Sequence, residues 1–141
     1  MKMDAVRIII ADDHAQVRKT WKMILQTDNQ FNVIAECSSG EEVIQSAREL
    51  NPDVILMDIN MSPVNGFDAT KEILKTNPQI KIIGVSINNQ PAYARHMIDM
   101  GAKGYVTKNS SKEEMFIAIR EALKGNNYIC KEITEKMAKR K

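Results

Sequence analysis

Polar side chains suited to phosphate chemistry directly follow the apolar segments of this 141-residue chain. The set comprises Asp12, Asp13, Asp58, Ser86 and Lys108. Asp12 and Asp13 are adjacent, and neighbouring carboxylates resist joint ionisation unless a positive charge lies against them. A divalent cation would provide that charge. The adjacent pair therefore predicts a metal site.

The same residue types suit the transfer of a phosphoryl group in the presence of Mg²⁺. Asp13 and Asp58 can each give one oxygen to the ion, and the backbone carbonyl of Asn60 lies within reach as a third ligand. The other oxygen of Asp58 can attack phosphorus and form an acyl phosphate. Lys108 and the ion would then offset charge on the equatorial phosphoryl oxygens, and Ser86 can donate a hydrogen bond to one of them.

Short apolar segments alternate with helical patterns along the chain, and these elements must bring the five side chains together. The segments that predict strands are Val6 to Ala11, Phe31 to Ala35, Val54 to Met57, Ile80 to Val85 and Gly104 to Val106. Residues such as Val17, Trp21, Ile24 and Leu25 recur on one helical face between them. Five strands alternating with five helices predict an α/β fold, a flavodoxin-like doubly wound parallel sheet of order 2-1-3-4-5. Its active site lies beyond the carboxyl ends of the strands.

Composition excludes several classes of protein. A hydrophobic content of 43% without a repeat fits one compact domain, and a net charge of +2 argues against binding nucleic acid over the whole surface. Basic residues concentrate from Lys131 to Lys141, where five face two acidic ones, which favours a solvated extension over a DNA contact. Cys37 and Cys130 have no metal-type spacing and predict a reduced pair. No segment has the length of a membrane span or the pattern of a signal peptide, which predicts a cytoplasmic protein without membrane contact.

Four stretches, "ADDH", "ILMDINMSPVNG", "GVS" and "GAKGYVTKN", carry a resemblance to a known family. Together they resemble the receiver domain of bacterial two-component response regulators, over roughly residues 5 to 125. The resemblance implies phosphorylation by a sensor histidine kinase with Mg²⁺ as cofactor. The roles that it implies are Asp58 as phosphoacceptor, Asp12 and Asp13 as the acidic pair, Ser86 as the switch hydroxyl, Lys108 as the family's lysine and Tyr105 as the aromatic switch. We expect Asp12 to reach the ion through a water.

The stretch "SSKEEMFIAIREALKGNNYICKEI" further resembles the LuxR-type (NarL/FixJ-like) transcriptional subfamily. This resemblance implies a receiver over residues 1–125 and a linker or helical extension over residues 126–141. The extension would lead to a DNA-binding helix-turn-helix domain absent from this chain. We also expect phosphorylation to promote a two-fold dimer, with Tyr93, Met97 and Ile117 as apolar contacts on a surface formed by two helices and the fifth strand.

Other functions stay open at this point. A stand-alone receiver would act through protein contact only. A Mg²⁺-dependent phosphatase with an aspartyl nucleophile would need Asp-x-Asp after the first strand, and a flavin or nucleotide module would need a glycine-rich first loop, whereas "ADDHAQ" offers adjacent acids. His14 can be a metal ligand, although a lone histidine in the first turn of a helix is more often solvated. Tyr105 fits a partly buried strand position as well as a moving switch. Ile87 adds bulk directly after Ser86 and can narrow access to the site.

Overall fold

One parallel sheet forms the centre of the molecule, of which a computed structural model describes residues 4–139. Its strands are β1 (Val6–Ala11), β2 (Phe31–Cys37), β3 (Val54–Asp58), β4 (Lys81–Ser86), β5 (Gly104–Thr107) and β6 (Tyr128–Ile129). They lie in the order β2-β1-β3-β4-β5-β6, and all neighbouring pairs are parallel. The predicted fold class and the order of the first five strands are confirmed.

Helices connect the strands and cover both faces of the sheet. They are α1 (Ala15–Leu25), α2 (Gly40–Leu50), α3 (Gly66–Thr76), α4 (Pro91–Asp99), α5 (Lys112–Leu123) and α6 (Lys131–Lys139). The side chains of Ser39, Asn65 and Ser111 cap α2, α3 and α5 by accepting a backbone N–H bond, as short polar residues do at helix starts. Asn51 ends α2 in the left-handed conformation, with φ of 50°.

The apolar core lies on the central strands β1, β3 and β4. Every residue of β3 is buried, and so are the last four residues of β1 and the last five of β4. Strands that helices cover on both faces have continuous apolar sequences. The sequence alone therefore predicts these segments as strands. The core therefore fixes the carboxyl ends of these strands beside one another.

A sixth strand was missed by the sequence analysis. Tyr128–Ile129 is only two residues long, which is too short for an alternating pattern to be read. It pairs with β5 through bonds from the N–H of Tyr128 to the carbonyl of Lys103 and from the N–H of Cys130 to the carbonyl of Tyr105. Within residues 4–139, the sheet therefore has one strand more than the five expected.

The extension that follows α5 packs on the domain up to residue 139. Ile133 and Cys130 are fully buried, and α6 lies against α4. Both cysteines are free and buried, and their reduced state stays a prediction. The division of the chain after residue 125 stays a prediction, and residues 140 and 141 of the predicted extension lie outside the described residues.

The expected apolar contact surface needs one correction. Met97 is fully buried, because its side chain packs inward near Gly84 and its sulfur lies 3.9 Å from the hydroxyl of Thr70. It cannot contact a second copy in this conformation, so its assignment was wrong. Tyr93 and Ile117 are 38% and 44% exposed. Separately, none of the helices within residues 4–139 is long and apolar enough to cross a membrane.

Candidate functional site

The carboxyl ends of four strands bring the predicted side chains to one rim of the sheet. Asp12 follows β1, Asp58 ends β3, Ser86 ends β4 and Lys108 follows β5. The Nζ atom of Lys108 lies 2.9 Å from Oδ2 of Asp12 and 3.7 Å from Oδ2 of Asp58. The fold therefore places two buried carboxylates around one ammonium group.

Asp58 is held at one oxygen only. Its Oδ1 accepts a hydrogen bond of 3.0 Å from the backbone N–H of Asn60, whereas its buried Oδ2 has no hydrogen-bond partner among residues 4–139. Burial raises the pKa of Asp58 to about 6, against the lowering effect of the Asn60 bond, and the nearby charge of Asp12 adds to the rise. With 1% of the residue exposed, Oδ2 is a buried oxygen that has the ammonium group of Lys108 nearby but accepts no hydrogen bond within residues 4–139.

Asp12 is the opposite case, because it is fully partnered. Burial alone would raise its pKa, but hydrogen bonds from Lys108 and His14 outweigh burial and lower the pKa of Asp12. Its Oδ1 accepts the backbone N–H of His14 at 2.8 Å and lies 3.0 Å from Nδ1 of the same residue. Asp12 is thus ionised and fixed at neutral pH.

A metal ion fits between these acidic groups. Ligand atoms of Asp12, Asp13, His14 and Asp58 all lie within 4.8 Å of one another. The carboxylates of Asp58 and of the half-exposed Asp13 are hard oxygen donors, which suit Mg²⁺. The side chain of His14 is 65% exposed, yet its Nδ1 lies 2.9 Å from Asp13. The sequence analysis favoured a solvated His14 and missed these contacts, although its position two residues after Asp12 permits them.

The hydroxyl of Ser86 is fully buried and held as an acceptor from two sides. Its Oγ accepts bonds from Nδ2 of Asn60 at 3.2 Å and from the backbone N–H of Asn88 at 3.0 Å. Because both lone pairs are engaged, its O–H is the group of Ser86 that can donate, and the hydroxyl of Tyr105 lies close to it. Sequence reasoning considered only the carbonyl of Asn60, whose contact with an ion stays a prediction, and missed its amide.

Tyr105 is fully buried in β5, and its hydroxyl donates a bond of 2.9 Å to the carbonyl of Asn88. Burial raises the pKa of Tyr105 to about 12, so the donor is un-ionised at neutral pH. The ring lies against Gly84, where a β-carbon would come within 2.8 Å of it. Tyr105 therefore contacts the loop that follows Ser86, and its movement as a switch stays a prediction.

The loop after β3 passes close to Asp58, and Gly66 makes this approach tolerable. A β-carbon on Gly66 would lie 2.3 Å from the carbonyl oxygen of Asp58, and the N–H of Gly66 donates to the carbonyl of Ile59. Only glycine fits so close to another backbone. The spacing from Asp58 to Gly66 is therefore required by packing around the site.

Comparison with known proteins identifies the family. A family model described as the response regulator receiver domain matches residues 8–120. The chain is 39% identical over 130 residues to the oxygen regulatory protein NreC of Staphylococcus aureus (strain JH9), which covers 92% of this chain and 60% of NreC. It is 35% identical over 134 residues to the transcriptional regulatory protein DegU of Brevibacillus brevis, which covers 95% of this chain and 57% of DegU. The chain belongs to the response regulator receiver domain family.

A solved structure narrows the class further. A two-component response regulator of the LuxR family from Aurantimonas sp. SI85-9A1 superposes with a TM-score of 0.92 and 28% sequence identity, over 97% of this chain and 98% of that one. The chain is therefore a receiver domain, a signalling domain of two-component systems, and its structure is similar to that of this LuxR-family regulator. It spans about three fifths of the length of its curated relatives NreC and DegU.

Proposed function

We propose that Asp58 accepts a phosphoryl group from a sensor histidine kinase and that this modification controls the output of the regulator. One observation carries the proposal: the buried, unpartnered Oδ2 of Asp58 lies beside the ammonium group of Lys108. A buried carboxylate oxygen without a partner is costly, and such groups concentrate where a protein performs chemistry.

In the proposed reaction, Oδ2 of Asp58 attacks phosphorus, and the bond between phosphorus and the donor's nitrogen or oxygen breaks as an acyl phosphate forms. The ammonium group of Lys108 turns toward the phosphoryl oxygens, and the O–H of Ser86 donates a hydrogen bond to one of them. Mg²⁺ would be held by Asp13, Asp58, the Asn60 carbonyl and, through a water, Asp12. When bound, it provides positive charge at the same oxygens.

The test is an intact-mass measurement after incubation with Mg²⁺ and acetyl phosphate. Wild type should gain one phosphoryl group, because the nucleophile is present, and Asp58→Asn should gain none. Asp53→Asn is the matched control, because Asp53 is an exposed aspartate at the other end of the sheet and should not affect labelling. Equal labelling of wild type and Asp58→Asn would reject Asp58 as the acceptor.

For the output, we propose DNA binding through a domain that follows the receiver, in a dimer formed on phosphorylation. Support comes from the names of DegU and of the LuxR-family structure and from the exposed Tyr93 and Ile117. Analytical ultracentrifugation should detect a dimer of the phosphorylated chain that Tyr93→Ala and Ile117→Ala weaken. A phosphorylated chain that stays monomeric at tens of micromolar would contradict dimerisation through the receiver.

A further inference from the structure

One carboxylate of the C-terminal helix contacts two segments of the site at once. Glu132 of α6 accepts a bond of 2.6 Å from Nδ2 of Asn89, and its other oxygen accepts a bond of 2.9 Å from the hydroxyl of Thr107. These two hydrogen bonds lower the pKa of Glu132, so the side chain is ionised at neutral pH. Both contacts are charge-assisted, the stronger kind of hydrogen bond.

Each partner of Glu132 is tied to a residue of the phosphorylation site. Asn89 follows Asn88, whose N–H bonds the hydroxyl of Ser86 and whose carbonyl accepts from Tyr105. Thr107 directly precedes Lys108, the residue that contacts Asp12 and Asp58. The carboxylate of Glu132 is thus linked to the hydroxyl of Ser86 and to the ammonium group of Lys108, the two groups that would turn toward a phosphoryl oxygen.

The segment before α6 is anchored elsewhere and does not depend on these residues. Glu114 of α5 accepts bonds of 2.8 Å from the hydroxyl of Tyr128 and from the backbone N–H of Lys131. Together with the pairing of β6 on β5, this fixes the start of α6 to the body of the domain. The helix can therefore detach while its first residue stays in place.

The apolar attachment of α6 itself is small. Within its nine residues, Ile133 is the buried side chain, and Met137 is partly buried against the core. A helix this short is marginal in water without tertiary contacts. The two bonds to Glu132 are therefore a substantial part of what holds the helix on the domain.

We propose that Glu132 makes α6 a latch, closed while Asp58 is unmodified and released when Asp58 carries a phosphoryl group. This rests on the proposed function, since the modification re-aims Ser86 and Lys108. Any shift of Asn88 or Thr107 that follows lengthens one of the two short bonds to Glu132, and hydrogen bonds weaken steeply with distance and misalignment. The position of the chain's C-terminal segment thereby depends on the state of Asp58.

The coupling must also act in reverse. If phosphorylation favours the released helix, then releasing the helix must favour phosphorylation by the same factor in equilibrium terms. Removing the carboxylate of Glu132 should therefore shift the acyl-phosphate equilibrium with acetyl phosphate toward the phosphorylated protein, roughly five-fold at the lower end of common couplings.

Amide hydrogen exchange read by mass spectrometry tests the latch on the full chain. In wild type, phosphorylation should raise exchange in residues 133–139 by at least about five-fold. Glu132→Ala should exchange at the raised rate before phosphorylation and change little after it. Alanine has a helix propensity at least as high as that of glutamate, but Glu132→Ala also removes a favourable charge from the first turn of α6, so Asn89→Ala, which keeps that charge, is measured beside it. Glu135→Ala, the same change at an exposed position of α6, should behave as wild type.

Asn89→Ala removes one contact of the anchor from the opposite side without altering α6, and a double variant tests whether the two changes act on the same contact. Asn89→Ala removes one of the two contacts and should reproduce part of the effect. Asn89→Ala with Glu132→Ala should exchange no faster than Glu132→Ala alone, because Glu132→Ala already removes the contact with Asn89. If intact mass confirms phosphorylation and exchange in α6 is unchanged, the latch is wrong and the proposed function stands. If no phosphoryl group is gained at Asp58, both are wrong. If Glu135→Ala matches Glu132→Ala, the anchor is not Glu132.

Discussion

The two ends of the central sheet are both polar, but the charged side chains have opposite environments there. At the amino end, a cleft of about 330 Å³ is lined by Asn51, Pro52, Asp53, Asn77, Gln79, Lys81 and Leu123. There, Asp53 accepts the backbone N–H of Arg7, and the Arg7 side chain donates to the carbonyl of Asn51. At the carboxyl end, Asp12 and Asp58 are buried together, and one oxygen of Asp58 lacks a partner among residues 4–139.

The difference teaches that the presence of a cleft does not identify the end of this domain that carries the candidate site. At the amino end, Asp53 is exposed, Arg7 is half-buried, and both form hydrogen bonds. Those of the carboxyl end are desolvated and crowded, which lowers stability and is retained in proteins mainly where it has a use. Matched substitutions at the two ends can therefore distinguish charged residues that only support the fold from those that take part in the proposed chemistry.

The largest expected contrast concerns the lysines of the two ends. Lys108→Ala should slow phosphorylation by acetyl phosphate by about 100-fold, because it removes a pre-positioned charge from the phosphoryl oxygens. Lys81→Ala, at the amino end, should leave the rate within about two-fold, since surface changes seldom reach a distant site. Rates come from the time course of intact mass. Equal phosphorylation rates for both variants would show that Lys108 does not assist the reaction.

A second contrast concerns stability without Mg²⁺. Asp58→Asn should raise the free energy of unfolding at pH 7.5 by about 1–3 kcal/mol, because it removes a buried charge that has no partner at Oδ2. Asp53→Asn should change it by less than about 0.5 kcal/mol, since an amide oxygen can still accept from Arg7. Urea unfolding measures both.

The pH dependence of that difference has a definite sign. Burial raises the pKa of Asp58 from 3.8 to about 6, so the folded protein holds this proton more tightly than the unfolded chain. The contribution of Asp58 to stability is therefore complete below about pH 4 and is lost as the pH rises through 6. The advantage of Asp58→Asn should grow across that interval, and an advantage that is constant from pH 4 to 7 would contradict the raised pKa.

The smallest expected effect is stabilisation by Mg²⁺. At ten times its dissociation constant, the ion adds about 1.4 kcal/mol, or about 3–6 °C in melting temperature for a domain of this size. Asp58→Asn should lose most of this gain and Asp53→Asn should keep it. A melting temperature unchanged by Mg²⁺, together with unchanged fluorescence of Trp21 in the adjacent α1, would count against a metal site at the carboxyl end.

Sequence reasoning reached the fold and the meeting of Asp12, Asp58, Ser86 and Lys108 because both follow from local patterns. Continuous apolar runs mark covered parallel strands, and the ends of such strands meet at one rim. Three features depend on distant or very short contacts and were not readable. They are the strand Tyr128–Ile129, the inward direction of Met97 and the amide of Asn60 on Ser86. The helical period places Met97 beside Tyr93 on one side of α4, but only the packed structure decides which residue faces the sheet.

The two-residue strand β6 also has a consequence for how this protein associates with itself. Its bonds occupy the carbonyls of Lys103 and Tyr105 on the outer side of β5, which is otherwise the open margin of the sheet. A strand margin with free N–H and carbonyl groups can pair with a margin of another molecule, and short edge strands discourage such pairing. A chain shortened to end at residue 125 would expose this margin, and we expect it to aggregate by strand addition where the longer chain stays dispersed.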